Sequence, residues 1–310
     1  MSMTYLKRKL RKFQKKNKLM IEKKLKKNAK KIDKFLIGFL NKQKQSLLVK
    51  PMKYGVISGG KKIRSTIILD TGKIFKINEK KLLNICAAVE CIHSYSLIHD
   101  DLPCMDNDSI RRGKPSTHKE FGESSAVLAG SSLLTLAFEI ISDEKYLLKS
   151  KIKNEIIGSL AKCSGHTGIA GGQELDLKFE NKKKNFNQII DMQKKKTGKL
   201  FNFCLFAVGA IANKKKREKK LLSDLGEEIG LLFQLADDFL DKKGTKKLVG
   251  KAIKKDSKKG KSTLLSILGE KKAYLYAYNL KKKILRKLKK HGKKASSLAK
   301  TIEFILERKF

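Results

Sequence analysis

Two clusters of aspartates stand out in a chain that is otherwise strongly basic. The clusters are Asp100, Asp101 and Asp106, and Asp237, Asp238 and Asp241. On a helix of about 100° per residue, Gln234 and all three aspartates of the second cluster share one face. Like charges three and four residues apart repel each other, and the helix end that Gly244 predicts also disfavours anions. A bound cation would offset both effects.

The first cluster has the same character. His93, Asp100 and Asp101 share a helix face, and Pro103 disfavours a helix before it, so Asp106 is expected in a loop. Carboxylates without histidine or cysteine partners suit a hard cation, and so few ligands per cluster suit Mg²⁺ that also binds a phosphate substrate. The alternative for either cluster alone is a helix end whose acids pair with lysines.

Several short basic motifs could complete such a site. They are Gly59-Gly60-Lys61-Lys62-Ile63-Arg64, Arg111-Arg112-Gly113, Lys196-Thr197-Gly198 and Gly260-Lys261-Ser262-Thr263. Each alone is a weak signal, because lysine and arginine number 73 in this chain. None is a P-loop, since Lys255 stands where its first glycine should be. Gln173 and Asp176 lie one helical turn apart, which the start of a helix also explains.

The elements that must position these residues are predicted to be helices. Only three prolines interrupt the chain, and alternating β-branched runs closed by turn residues are nearly absent. Segments 82–102, 126–141, 151–169, 186–212 and 219–241 have the broad apolar faces of long helices. We expect one all-α domain over residues 35–310, preceded by a basic extension or first helix over residues 1–34, which carries 15 basic and 2 acidic residues.

The composition limits the remaining classes. A formal charge of +43 allows a nucleic-acid or membrane-surface binder, but the basic residues are scattered and no aromatics interleave with them, so solvated lysines are the default. Five scattered cysteines fit a reducing compartment, and we expect a cytoplasmic protein. No run of about 18 apolar residues and no secretory signal are found, so no transmembrane segment is expected.

Taken in order, the motifs resemble those of the trans-prenyltransferases, the polyprenyl synthetase family, and most of all the bacterial farnesyl diphosphate synthases. They are GGKxxR, HxxxxxxDDLPxMD with RRG, GGQxxD, KTG, FQxxDDxxD and GKST, and they extend over residues 54–263. The resemblance implies an isoprenoid synthase fold, with helices surrounding a deep central cavity. It also implies a homodimer and three magnesium ions in each active site. The reaction would join isopentenyl diphosphate to dimethylallyl or geranyl diphosphate and give farnesyl diphosphate.

The same resemblance implies the roles of individual residues. Asp100, Asp101, Asp106, Asp237 and Asp241 would bind magnesium. Asp238, Lys196 and Lys251 join these aspartates as catalytic residues. Lys61, Arg64, His93 and Arg112 would bind isopentenyl diphosphate. Arg111, Lys196, Thr197, Gln234, Lys251 and Lys261 would bind the allylic diphosphate, and Asp176 would lie near the metal ions.

Two residues bear on product length. Tyr95 lies five residues before Asp100, with Ser96 beside it, and an aromatic residue here resembles enzymes that stop at fifteen carbons. The alternatives are a plain core tyrosine and a geranylgeranyl or other chain-length synthase. Ser65 departs from a proline that is common in the family. A terpene cyclase is less favoured, because the second aspartate cluster and the basic motifs suit condensation.

Overall fold

The computed structural model describes residues 3–43, 46–57, 59–243 and 263–307, with side chains from residue 16 onward except that of residue 243. Two predicted site residues, Lys251 and Lys261, lie outside these ranges. The described residues form thirteen α-helices. They are α1 Met3–Leu40, α2 Val49–Ile57, α3 Ile63–Ile74, α4 Lys80–Asp100, α5 Thr117–Phe121, α6 Glu123–Ser142, α7 Ser150–Ser164, α8 Ile169–Lys178, α9 Phe186–Gln193, α10 Lys199–Ile211, α11 Lys216–Lys243, α12 Leu264–Leu288 and α13 Ser296–Glu307.

Short elements join some of these helices. A π-helical turn, Lys194–Gly198, connects α9 to α10, and a 3-10 turn, Lys289–Ala295, connects α12 to α13. The strands in the described residues are β1, Ile110–Arg111, and β2, Lys114–Pro115, which pair antiparallel as a small hairpin. The prediction of an all-α fold is therefore confirmed.

Helix α4 is central because it is apolar on nearly every side. All residues from 85 to 92 are buried, so neighbouring helices must surround this part of α4. Helices α3, α6 and α10 pack against it. The polar residues of α4 that face the cavity come from its C-terminal half, which ends at Asp100.

Helix α11 packs against α10 so closely that glycine is required at the contact. A Cβ on Gly226 would lie 2.3 Å from the carbonyl oxygen of Phe201, and one on Gly230 would lie 2.7 Å from Cα of Gly198. Backbone therefore meets backbone at these points. This close packing fixes the position of the second aspartate cluster along α11 relative to the π-helical turn.

Helix α1 runs through residue 34 without a break. Its buried residues Ile21, Leu25 and Ile32 continue into Leu36 and Leu40, so one apolar stripe packs on the rest of the fold on both sides of that position. The division of the chain at residue 34 stays a prediction.

A buried ion pair fixes α1 to α3 and α13. Asp70 of α3 is fully buried, and Nζ of Lys24 on α1 donates to its Oδ2 at 2.6 Å. The hydroxyls of Ser297 and Thr301 on α13 donate to the same carboxylate, each at 2.7 Å. Because all three donors serve one buried anion, this network holds three helices in register.

Helix α6 bears on the expected absence of a membrane span. Among the described residues it is the one helix long and apolar enough to cross a membrane by length and composition. About 44% of its most apolar window is buried inside the protein, and it packs against α4, as the core helix of a folded domain does.

Candidate active site

A cavity of about 460 Å³ lies between α3, α4, α8, the π-helical turn and α11. It collects most of the residues that the sequence predicts. The predicted residues that line it are Lys61, Arg64, His93, Ser96, Asp100, Asp106, Arg111, Arg112, Lys196, Thr197, Gln234, Asp237, Asp238 and Asp241, together with Asp176. Tyr95 and Asp101 are described but do not line this cavity.

The first aspartate cluster forms where α4 ends. The backbone N–H of Asp106 donates to the carbonyl oxygen of Asp100 at 2.8 Å, which turns the loop back over the helix end. Asp106 therefore reaches the cavity from a loop. The pKa of Asp100 is raised to about 6, mainly by burial and also by the charges of Asp106 and Asp101, whereas Lys196 and Arg111 oppose the shift.

Asp101 is engaged by an arginine. Nε of Arg111 donates to both carboxylate oxygens of Asp101, at 2.9 and 2.7 Å, and the guanidinium lies 3.7 Å from Asp108. Asp101 is only 2% exposed. Its carboxylate would have to leave Arg111 to bind a metal ion, so its predicted role as a ligand stays a prediction. The β1–β2 hairpin brings Arg111 to this position.

The second cluster lies on α11. All three aspartates line the cavity, and Asp238 is also held by two amides. Nε2 of Gln234 donates to its Oδ1 at 2.8 Å, and Nε2 of Gln193 donates to its Oδ2 at 3.1 Å. These bonds direct the Asp238 carboxylate toward the amides and leave Asp237 and Asp241 as the outer members of the cluster.

The π-helical turn presents two predicted residues to the cavity. The hydroxyl of Thr197 donates to Oε1 of Gln234 at 2.7 Å, and Nζ of Lys196 donates to Asp176 at 2.6 Å. Helix α8 approaches this turn closely, because a Cβ on Gly172 would lie 2.1 Å from the backbone nitrogen of Lys196. One extra residue in the turn changes the direction of successive side chains, and such turns are frequent at functional sites.

The basic side of the cavity comes from the loop before α3, from α4 and from the hairpin. The guanidinium of Arg64 lies 4.8 Å from the ring centre of Phe201 and 5.6 Å from that of Phe233, which fixes its plane. Burial lowers the pKa of His93 well below its usual value, and the nearby cations Arg64 and Arg112 lower it further. His93 is therefore neutral at pH 7.

The residues fit a hard divalent cation shared with a phosphate. Asp100, Asp106, Asp237 and Asp241 offer oxygen donors without histidine or cysteine, the ligands that Mg²⁺ prefers. Across the described ranges, no three acidic, histidine or cysteine side chains are close enough to hold an ion by themselves. An ion here would need further oxygens, which a diphosphate supplies. Such an ion would offset the burial and the neighbouring carboxylates that together raise the pKa of Asp100.

The two predicted chain-length residues differ in their surroundings. Ser96 lines the cavity, and its hydroxyl donates to the carbonyl oxygen of His93 at 3.0 Å. Tyr95 is 8% exposed, and its hydroxyl donates to the carbonyl oxygen of Ser164 at 3.2 Å across the gap to α7. Its ring meets His99 edge to face at 5.6 Å.

Five polar residues outside the predicted site residues also line the cavity, namely Lys62, Glu90, Gln173, Gln193 and Thr263. Both amide atoms of Gln173 and Oε1 of Gln193 are buried without a hydrogen-bond partner. The GGQxxD motif carries a signal for Gln173. Nothing in the sequence pattern marks Gln193, whose partner Asp238 is 45 residues away.

The sequence profile of the family described as polyprenyl synthetase matches residues 45–305. The chain is 39% identical to the farnesyl diphosphate synthase of Escherichia coli (strain K12) over 267 residues, which cover 84% of this chain and 89% of that one. It is 42% identical to the farnesyl diphosphate synthase of Buchnera aphidicola subsp. Acyrthosiphon pisum (strain APS) over 257 residues, 78% of this chain and 89% of that one.

Solved structures agree with this match. An apo FPP/GFPP synthase from Zymomonas mobilis superposes with a TM-score of 0.83 at 36% identity, covering 93% of this chain and 99% of that one. A geranyltransferase from Helicobacter pylori, complexed with magnesium and isoprenyl diphosphate, superposes with a TM-score of 0.78 at 31% identity, covering 92% and 96%. The chain belongs to the polyprenyl synthetase family. The predicted isoprenoid synthase fold and the prediction of a prenyltransferase are therefore confirmed, and the family is magnesium-dependent.

Proposed function

We propose that this prenyltransferase is a farnesyl diphosphate synthase, which joins isopentenyl diphosphate to dimethylallyl diphosphate and then to geranyl diphosphate. One observation carries the proposal. A single cavity holds carboxylates at the C-terminal ends of α4 and α11 and cations on the loop before α3 and on the hairpin. The first set suits metal ions and the second suits phosphate oxygens.

On this proposal the allylic diphosphate lies on the carboxylate side. Asp100, Asp106, Asp237 and Asp241, with Asp101 when it is released from Arg111, would hold three magnesium ions there. When bound, these ions stabilise the negative charge of the departing diphosphate. The side chains that would contact this diphosphate directly are Arg111, Lys196, Thr197, Gln234, Lys251 and Lys261.

Isopentenyl diphosphate would lie on the basic side, held by Lys61, Arg64, Arg112 and the neutral His93. The allylic carbon–oxygen bond breaks, the isopentenyl double bond attacks the allylic carbon, and a proton passes to the released diphosphate. No protein base is required, which fits a cavity with acids for metal ions and cations for phosphates. Phe233, Met192 and Ile169 line the same cavity and exclude water from the cationic carbon.

The test uses the purified chain with isopentenyl diphosphate and either dimethylallyl or geranyl diphosphate, with magnesium or with a chelator. We expect a farnesyl product only with magnesium. Asp237→Asn should lower kcat by roughly 100-fold or more. Asp224→Asn is the matched control, because Asp224 is a half-exposed aspartate on the same helix that does not line the cavity. The absence of any condensation product from either allylic substrate would overturn the proposal.

Relatives that make longer chains support a second candidate product. One relative is a geranylgeranyl pyrophosphate synthase of Arabidopsis thaliana, at 37% identity, and the Zymomonas mobilis structure is an FPP/GFPP synthase. Chromatography of dephosphorylated products separates fifteen-carbon from longer chains. Longer chains as the main product would leave the reaction class intact and change the product assignment.

Four further expectations complete the proposal. We propose a homodimer, supported by the exposed apolar side chains Val127 and Leu128 on α6, and sedimentation would test it. We also propose a cytoplasmic location and one catalytic domain over residues 35–310. We propose no specific nucleic-acid partner. Binding of DNA that survives about 150 mM salt would contradict that last expectation.

A further inference from the structure

A buried polar network lies behind the basic side of the cavity. At its centre is Glu90 of α4, which is 2% exposed and three residues before His93. Both oxygens of its carboxylate are engaged. The hydroxyl of Ser65 donates to Oε1 at 2.7 Å, and Nζ of Lys62 lies 3.7 Å from Oε2. Glu90 thus joins the start of α3 to the middle of α4.

Lys62 points away from solvent, unlike its neighbour. Lys61 is exposed, whereas the side chain of Lys62 is 1% exposed. The left-handed backbone of Lys62, with φ of 44° and ψ of 48°, turns its side chain inward. There Nζ donates to the carbonyl oxygen of Val56 at 2.6 Å and lies 3.4 Å from Oδ1 of Asp33. One ammonium therefore ties the loop to α1, α2 and α4.

The same loop supports a predicted substrate contact. A guanidinium nitrogen of Arg112 donates to the carbonyl oxygen of Gly59 at 2.7 Å. A Cβ on Gly60 would lie only 2.8 Å from Cζ of Arg112, so the guanidinium rests directly on the loop backbone. Any shift of the loop would therefore displace Arg112 and Lys61 together.

The single positive charge of Lys62 is shared by two negatively charged side chains of the network. Lys62 faces two carboxylates, the buried Glu90 and the partly buried Asp33. Removing the ammonium would leave both acids without this cation, and removing a buried partner is far more disruptive than removing an exposed one. Ser65 is the second support, because it occupies the carboxylate oxygen that Lys62 does not face. A residue without a side-chain hydroxyl at this position could not donate this bond.

Resting on the proposed function, we infer that Lys62 and Ser65 are positioning residues for isopentenyl diphosphate, which act through Glu90 by holding residues 59–64, the loop before α3 and the start of α3, against α4. Neither side chain needs to touch the substrate. Their effect is to keep Lys61 and Arg112 where a diphosphate meets both cations at once.

The experiment measures calorimetric binding of isopentenyl diphosphate alone, which cannot condense without an allylic partner. Lys62→Met keeps the stem and removes the ammonium, and we expect Kd to rise ~10-fold or more. Ser65→Ala removes one hydroxyl and should raise Kd ~5-fold. Lys62→Arg, which keeps the cation, should restore most of the affinity. In steady state, KM for isopentenyl diphosphate should rise while KM for geranyl diphosphate stays unchanged.

Lys24→Met is the matched control, since Lys24 also lies in a buried ion pair but far along α1 from the cavity. It should lower the melting temperature without changing Kd. If Lys24→Met raises Kd as much as Lys62→Met does, the effect is general destabilisation and the inference fails. If Lys62→Met does not fold, Ser65→Ala decides alone, and wild-type Kd in Ser65→Ala would overturn the inference. A wild-type chain that binds no isopentenyl diphosphate would instead overturn the proposed function.

Discussion

Replacement of Tyr95 tests how the protein would limit product length. Tyr95 lies five residues before Asp100 on α4, so it sits about 7.5 Å along the helix from the first aspartate. Its hydroxyl bonds the Ser164 carbonyl oxygen, and its ring packs against His99. Burial and the charge of Asp100 raise the pKa of Tyr95 to about 12, so the hydroxyl is a donor at pH 7. Tyr95 thus bridges α4 and α7 beyond the cavity residue Ser96.

Two substitutions distinguish the role of the Tyr95 ring from that of its hydroxyl hydrogen bond. Tyr95→Phe removes one hydrogen bond and leaves the Ser164 carbonyl oxygen without this donor, which should cost about 1–2 kcal/mol of unfolding free energy. Tyr95→Ala removes the whole buried ring and should cost about 3–5 kcal/mol. Only the second change opens space beyond Ser96. We therefore expect Tyr95→Phe to keep the fifteen-carbon product and Tyr95→Ala to shift it to twenty carbons or longer.

The assay is chromatography of dephosphorylated products after incubation with excess isopentenyl diphosphate, together with urea unfolding of each variant. Temperature is kept low enough that Tyr95→Ala remains folded. Fifteen-carbon product as the sole product of a folded Tyr95→Ala variant would refute the reasoning, because the ring would then not limit the chain. If Tyr95→Phe lengthened the product as much as Tyr95→Ala does, the hydroxyl of Tyr95 and not the volume of its ring would limit the product chain.

Three other perturbations test separate parts of the structure. Asp70→Asn should lower the unfolding free energy by about 3–5 kcal/mol in urea titrations, because Lys24 would lose its buried partner; a wild-type midpoint would contradict this. The pKa of His93 is lower in the folded protein than in the unfolded chain, so below pH 6.5 the unfolded chain binds a proton that the folded protein does not. The free energy of unfolding of wild type should therefore fall by about 1.4 kcal/mol more than that of His93→Gln by pH 5.5. Parallel plots of stability against pH for the two proteins would disprove this. Gly172→Ala should push the π-helical turn away, lower the melting temperature and lower kcat about 100-fold in the folded enzyme, and an unchanged kcat would refute that.

Helical spacing and the conformational limits of proline predicted those site residues whose positions depend only on nearby sequence. Helical spacing predicted that Asp237 and Asp241 share one face, and both line the cavity. Pro103 predicted that Asp106 lies in a loop, and it does. The helix predicted over 82–102 is α4, Lys80–Asp100. The helix predicted over 151–169 ends earlier, at Ser164, because two glycines follow it and a Cβ on Gly168 would lie 2.0 Å from the carbonyl oxygen of Cys163.

Contacts between residues far apart in the sequence, and unusual backbone conformations, could not be predicted from helical spacing. The segment predicted as one helix over 186–212 contains a π-helical turn, and this turn, not simple helical spacing, aims Lys196 and Thr197. The bond from Gln193 to Asp238 joins residues 45 apart, which no spacing within one helix reveals. The opposite directions of Lys61 and Lys62 follow from a left-handed backbone angle that the sequence does not specify.

The segregation of charge in the cavity has a chemical consequence on the proposed function. Both substrates are diphosphates, yet only one must lose its diphosphate. A diphosphate beside Asp100 and Asp237 is repelled unless a divalent cation lies between them, so binding on that side brings the ion needed for ionisation. A diphosphate beside Lys61 and Arg112 is bound by cations directly and needs no metal ion, and because isopentenyl diphosphate is not allylic its carbon–oxygen bond stays intact. The same separation that orients the substrates would therefore place the allylic diphosphate, the one able to ionise, beside the metal ions and leave isopentenyl diphosphate as the nucleophile.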